Sequence, residues 1–321
     1  MTEEQIRQAL PTQAIGRVKA VTVKDRNVTL VVDASGMSRP DAEALEAAIR
    51  QRVEALDEVD NARVALMADK IARKIVAVGS GKGGVGKSTL AANLAVALAR
   101  LGRKVGLVDA DVYGPSQPML LDAANRKPTA NDDTLIPVES DFGVKFISMG
   151  QLVEPGRAIA WRGPMVGKAL AQLMEADWGD ADTLIVDLPP GTGDVQLTML
   201  QRFRPVGAVI VSTPQDLALI DATRAINLFK QAGVPIIGIV ENMAGYACPH
   251  CGEVSDPFGS GGAEAAARAL GESFLGRVPL AMEIRVASDA GQPPAASDAP
   301  QGQAFIEIAG RLAAWLDEKD G

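Results

Sequence analysis

Aromatic side chains are scarce, at 4% of 321 residues, so the core has to be built from Ala, Val, Leu and Ile. Cysteine occurs twice, at Cys248 and Cys251, too seldom for a disulfide-stapled secreted scaffold. No apolar run approaches the ~20 residues of a membrane-spanning helix, so no membrane association is expected. Met1-Thr2-Glu3-Glu4-Gln5 has neither the basic region nor the apolar stretch of a signal peptide, and the expected location is cytoplasmic. Positive charge is short too. The 32 Lys and Arg stand against 40 Asp and Glu, a net charge of −8, with a pI near 4.9. That balance repels phosphate backbones and disfavours a nucleic-acid partner. What is present, 47% hydrophobic and 22% charged residues, is ordinary for a soluble globular protein, and the length allows about two domains.

Residues 1 to 70 read as a small α+β domain. Ala14–Val23 and Asn27–Asp33 are expected strands, the second with Val28, Leu30 and Val32 alternating in a half-buried pattern. Pro40–Leu56 reads as a helix with Asp41 and Glu43 near its start, where the helix dipole favours acids, and Ala62–Met67 as a third strand. Residues 69 to 74 form a charged linker.

The second domain, residues 71 to 321, alternates strands with helices. Strands are expected at Ile75–Gly79, Lys104–Asp109, Gly143–Met149, Thr183–Asp187, Gly207–Ser212, Ile236–Val240 and Leu275–Val278. Helices are expected near 88–101, 165–177, 216–231, 262–270 and 302–317. Repeated βα units imply an α/β fold, a mainly parallel sheet covered by helices on both faces. Ligands then bind beyond the carboxyl ends of the strands. Four segments that directly follow strands are candidates: Gly81–Thr89, Asp109–Ser116, Asp187–Asp194 and Asn242–Cys251.

Gly81-Lys82-Gly83-Gly84-Val85-Gly86-Lys87-Ser88-Thr89 fits the phosphate-binding pattern G-x-x-x-x-G-K-[ST]. It lies between an apolar strand and an Ala/Leu/Val-rich helix, which is the setting the motif requires. Glycines let backbone N–H groups approach phosphate, and the helix start adds its positive end. Lys87 is expected to reach the β- and γ-phosphates of ATP, Ser88 to ligate Mg²⁺ and Thr89 to donate to an α-phosphate oxygen. Asp109 and Asp111 follow a strand; one carboxylate suits the Mg²⁺ shell and the other the attacking water. Asp187 ends the apolar run Leu184-Ile185-Val186 and is a further Mg²⁺ ligand, while Asp194 reads as the N-cap of the next helix. The Asn242 carboxamide can donate to and accept from an adenine edge. A solvated loop or a turn is the plainer reading of Asp109, Asp111 and Asn242 taken singly.

Cys248-Pro249-His250-Cys251 encloses the only histidine of the chain. Zinc and iron–sulfur clusters each want about four ligands, so one chain supplies half a site. Two chains related by a two-fold axis supply four thiolates. On the residues alone, cluster and zinc weigh equally.

Together these motifs resemble a known family. The loop Gly81–Ser88, with its additional Lys82, looks like the deviant phosphate loop of the MinD, ParA and nitrogenase iron-protein class. Within that class Asp187–Asp194, Trp161–Met165, Gln215–Asp221 and Glu241–Cys251 resemble the Mrp/ApbC iron–sulfur cluster carriers, in order, over roughly residues 73 to 291. The resemblance implies a homodimeric ATPase with a 4Fe–4S cluster bridged by Cys248 and Cys251 of both chains. It implies that Lys82 reaches the partner's nucleotide, that Asp111 positions water and that Asn242 contacts the base. Expected partners are cluster scaffold proteins and apo iron–sulfur proteins. The N-terminal block resembles the small iron–sulfur-assembly domain fused to such proteins, but Asp33–Pro40 lacks its usual cysteine, so partner recruitment is the role left to it. The alternative is a MinD/ParA-like regulatory ATPase dimerised by structural zinc on the same cysteines. Against it, the C-terminal Asp317-Glu318-Lys319-Asp320 has the wrong charge for a basic membrane helix.

Overall fold

The computed structural model describes residues 2–35, 37, 39–67, 72–131, 134–152, 163–248 and 250–319. The first half of the expected linker, Trp161 and Arg162 of the Trp161–Met165 motif, and Pro249 lie outside the described residues. The chain divides into two compact units, Met1–Ala72 and Arg73–Gly321.

The first unit opens with α1 (Glu3–Ala9), whose start is closed by a capping box between Thr2 and Gln5. Next come β1 (Val18–Lys24), β2 (Asn27–Asp33), α2 (Arg39–Glu54) and β3 (Asn61–Met67). β1 begins at Val18 rather than Ala14, because Thr12–Ala14 turn as a short 3₁₀ helix. β1 and β2 pair antiparallel through a turn whose Asp25 and Arg26 both have positive φ, at 47° and 64°. β3 returns parallel to β2 after α2. Ile6, Leu30, Ile49 and Val53, all inaccessible to solvent, fill the space between helices and sheet.

The second unit begins with β4 (Lys74–Ser80), α3 (Lys87–Arg100), β5 (Val105–Asp109) and the single-turn α4 (Gln117–Leu120). A small hairpin of β6 (Thr129–Asn131) and β7 (Thr134–Ile136) precedes β8 (Val138–Glu139) and β9 (Val144–Ser148). Then follow α5 (Gly163–Met174), β10 (Thr183–Asp187), α6 (Asp194–Thr198), β11 (Gly207–Ser212), α7 (Asp216–Gln231) and β12 (Ile236–Asn242). A second hairpin, β13 (Tyr246–Ala247) with β14 (Val254–Ser255), leads to α8 (Gly262–Leu270), β15 (Phe274–Val278), α9 (Met282–Asp289) and α10 (Pro300–Glu318). Gly193 occupies the position before α6, so Asp194 stands in the first helical turn and not at the cap.

Eight strands form one sheet in the order β15-β12-β11-β4-β10-β5-β9-β8. Its pairings are parallel except at the β8 edge. Alternate residues of β4 face opposite ways. Val76 and Val78 join the core under α3 and α10, and Ala77 joins the one under α5, α7 and α8. Burial on both faces is why these strands read as continuous apolar runs. Large residues concentrate where helices cover the sheet: Trp178 and Phe229 on one side, Phe146 and Phe305 on the other. No helix among the described residues is long and apolar enough to cross a membrane.

Candidate functional site

The carboxyl ends of β12, β4, β10 and β5 carry Asn242, the glycine loop, Asp187 and Asp109. These strands lie within five consecutive positions of the sheet, with β11 between β12 and β4. At about 4.8 Å per strand, the four residues fall within ~19 Å across the sheet edge. The sheet therefore gathers residues separated by as many as 161 positions of sequence, Gly81 to Asn242, into one cleft.

The glycine loop is shaped by two close approaches. A Cβ on Gly81 would lie 2.0 Å from the Asp221 carbonyl carbon, so α7 packs directly on the loop. Gly86 has φ 80°, and a Cβ there would lie 2.1 Å from Asn242 Nδ2. That amide donates to the Val85 carbonyl at 2.7 Å, fastening the end of β12 to the loop. Gly86→Ala combines a left-handed backbone with this clash. It is expected to cost about 2 kcal/mol of stability and to weaken ADP binding, measured by denaturant unfolding and by fluorescent-ADP titration.

Lys87 is 6% exposed and points inward. Its Nζ bonds Asp187 Oδ1, lies 3.7 Å from Asp111 Oδ2 and donates to Ser88 Oγ at 3.2 Å. Lysine, water-positioning candidate, Walker-type acid and hydroxyl thus meet at one point. Asp111 Oδ1 accepts the N–H groups of Tyr113 and Gly114, both at 3.1 Å, which leaves Oδ2 turned toward the lysine. Asp109 is inaccessible to solvent. Its Oδ2 accepts from Ser148 Oγ at 2.8 Å and from the backbone of Ser116 and Gln117 at 3.0 and 3.1 Å, and its Oδ1 from Asp111 N at 3.2 Å. Burial, with the neighbouring Asp187 charge second, pushes its carboxyl pKa up to about 7 despite those bonds. In this arrangement Asp109 organises the loop after β5.

Lys82 stands apart from this cluster. It is half-buried on the loop, its carbonyl accepts from Ser80 Oγ at 2.9 Å, and its Nζ donates to Gln215 Oε1 at 3.4 Å.

The cysteines sit on the loop of the β13–β14 hairpin, where Cys248 N donates to Glu253 O at 2.9 Å and Gly252 N to Cys248 O at 2.8 Å. Cys248 is half-buried, while Cys251 and His250 are exposed. The backbone N–H groups of His250 and then Cys251 point at the Cys248 sulfur, and with the Cys251 thiol they pull its pKa down. Two bonds hold the hairpin base to the sheet, Ala244 N to Val278 O at 3.0 Å and Leu280 N to Gly245 O at 2.9 Å. Between β12 and the hairpin, Met243 turns the chain in the left-handed region at φ 60°, uncommon for a residue with a side chain. Among the described residues no group of three or more His, Cys, Asp and Glu is arranged to hold a metal ion.

Two buried residues of this region are not legible as site residues from sequence. Glu241 accepts from Gly261 N at 3.1 Å, Ala263 N at 2.8 Å and Arg277 Nε at 3.0 Å, and so ties β12 to the start of α8. Gln117 donates from Nε2 to Asp187 Oδ2 at 2.9 Å and to the Ser88 carbonyl at 3.0 Å. Its only signal is its place one residue beyond Ser116, in a segment expected to be a loop.

A parallel sheet with a glycine loop between its central strand and the following helix, and acids at the neighbouring strand ends, defines a P-loop NTPase. Residues 71–313 match the family described as ParA: NUBPL iron-transfer P-loop NTPase, and the chain belongs to that family. It is 48% identical over 250 residues to the iron-sulfur cluster transfer protein NUBPL of Dictyostelium discoideum, covering 76% of this chain and 77% of that protein. It is 47% identical over 248 residues to an iron-sulfur cluster carrier protein of Escherichia coli (strain K12), covering 76% and 67%. Among solved structures, the nucleotide-binding protein in complex with ADP from Archaeoglobus fulgidus superposes with a TM-score of 0.63 at 40% identity, covering 73% of this chain and 91% of that one. The family expected from the motifs is thus the family that matches.

Proposed function

We propose that the chain is an ATP-hydrolysing carrier that holds a 4Fe–4S cluster between two copies of itself and passes it to apo-proteins. The observation that carries this reading is the hairpin. It presents two thiols three residues apart, one polarised toward thiolate, on a loop fastened through β12 to the phosphate loop. Two thiolates make half of a cluster site, so a second copy related by two-fold symmetry supplies the rest.

The nucleotide part rests on the cleft. The loop N–H groups and Lys87 hold the β- and γ-phosphates, and the Asn242 side chain lies beside the loop for the base. Ser88 and Asp187 would hold Mg²⁺, and Asp109, the third Mg²⁺ candidate, holds the loop after β5 in place through its four hydrogen bonds. Mg²⁺ bound there would supply charge neutralisation to the transferring phosphate. Asp111 Oδ2 orients a water at the γ-phosphorus; the new P–O bond forms as the bond to the β-phosphate oxygen breaks, giving ADP and phosphate. The N-terminal unit recruits scaffold or recipient proteins, and the work is done in the cytoplasm.

Metal analysis of protein purified without oxygen tests the reading. The expected result is about two iron atoms and two sulfides per chain, one 4Fe–4S cluster per dimer. Zinc in place of iron would overturn it in favour of a zinc-dimerised regulatory ATPase.

A further inference from the structure

Gln117 is a glutamine with no exposure to solvent, fixed in the middle of the cleft. Its amide nitrogen is fully used, on Asp187 Oδ2 at 2.9 Å and on the Ser88 carbonyl at 3.0 Å. Those are the two residues to which the proposed function gives the cation. Its own backbone N–H is held by Asp109 Oδ2 at 3.1 Å. The three acidic and hydroxyl positions of the cleft are therefore linked in series: Asp109 fixes the place of Gln117, and Gln117 fixes Asp187 and the backbone at Ser88.

The other half of the amide is unexplained by the protein. Gln117 Oε1 is buried and has no hydrogen-bond partner among the described residues. Buried acceptors are seldom left orphaned, because the desolvation of each costs about 1–3 kcal/mol. An apolar side chain of the same length would fill the space without that cost. The acceptor calls for a donor that comes with a ligand. A phosphate oxygen cannot serve, since it only accepts. The Lys87 ammonium is engaged with Asp187 and Ser88. Mg²⁺ keeps several of its waters when bound through one or two carboxylates and a phosphate, and a water on a cation is a strong donor.

Resting on the nucleotide reading above, we infer that Gln117 is a positioning residue of the Mg²⁺ site. Its Nε2 fixes the Asp187 carboxylate against Ser88, and its Oε1 accepts a hydrogen bond from a water of the bound cation. Outer-shell partners of this kind commonly contribute 10- to 100-fold in metal affinity.

The test uses the full chain with ADP and follows Mn²⁺ binding by the loss of the free-ion EPR signal, with Mg²⁺ as competitor. In Gln117→Met, an unbranched side chain of similar length that neither donates nor accepts usefully, the Mn²⁺ dissociation constant is expected to rise about tenfold. Affinity for ADP in excess EDTA should stay within about twofold, which also shows that the variant is folded. Gln117→Glu keeps an acceptor oxygen but puts another where Nε2 donates to Asp187, so it too is expected to raise the Mn²⁺ dissociation constant about tenfold. Unchanged Mn²⁺ affinity in Gln117→Met overturns the inference, and so does unchanged affinity in Gln117→Glu. Were Gln117→Met not to fold, the Gln117→Glu measurement would decide alone. Failure of the wild-type protein to bind ADP strikes the nucleotide reading itself, and is seen before any variant is compared.

Discussion

Replacing Cys248 by Ala is expected to eliminate the cluster outright. Wild-type protein reconstituted without oxygen from ferrous iron and sulfide should acquire a broad thiolate-to-iron charge-transfer absorption, and Cys248→Ala should acquire none. The size of the effect follows from counting ligands. In the proposed symmetric dimer each substitution is made twice, so two of four thiolates vanish together, and two do not hold a 4Fe–4S cluster. Cys251→Ala should behave alike. The loss should not come from unfolding. The hairpin is held by the backbone bonds of Cys248 to Glu253 and Gly252, which alanine keeps. A half-exposed side chain outside the core is worth within about 0.5 kcal/mol in stability. ADP binding should therefore survive in both variants. A charge-transfer spectrum in Cys248→Ala equal to that of the wild type would sink the proposal that this hairpin carries the cluster.

The parts legible in the sequence are those whose cause is local. The glycine loop announces itself because strand, left-handed glycines and helix start are contiguous. Asp187 is legible because a parallel strand buried on both faces is a plain apolar run, and an acid at its end stands out. The parts that stay hidden depend on partners far along the chain. Glu241 falls just past the expected strand, yet it is the penultimate residue of β12, buried and hydrogen-bonded to Gly261, Ala263 and Arg277, 20 to 36 residues away. Gln117 reads as one polar residue in a loop, because α4 is too short to show any period. Asp109 and Asp111 look interchangeable in Asp-Ala-Asp. The fold separates them: one carboxylate turns inward to four donors, and the other keeps an oxygen facing Lys87. The cysteine hairpin has strands of two residues, below the length at which alternation can be seen.

Lys82→Ala is expected to lower the rate of ATP hydrolysis by about two orders of magnitude while changing ADP affinity less than about threefold. A cation supplied to the transferring phosphoryl group from a second molecule is commonly worth ~10³ or more, and an ammonium lacks the fork of a guanidinium, so the lower figure is taken. The geometry within one chain separates the two lysines of the loop. Lys87 is buried and committed to Asp187, Asp111 and Ser88, so Lys87→Ala should weaken nucleotide binding itself, by about 10- to 100-fold for a charge-assisted hydrogen bond. Lys82 is half-buried, and its amine makes a single long bond to Gln215 among the described residues, at 3.4 Å. That bond breaks at little cost, which leaves the ammonium free to reach a nucleotide held by another copy. Mixing the two inactive variants separates action across the dimer from action within one chain. In a Lys82→Ala/Lys87→Ala pair, the first chain offers an intact phosphate site and the second offers Lys82 to it. Random assortment then gives half heterodimers with one working site each, so hydrolysis should return to about a quarter of the wild-type rate. Were Lys82 to act on the nucleotide of its own chain, every site in the mixture would lack one lysine, and the rate would stay at the level of the two parents.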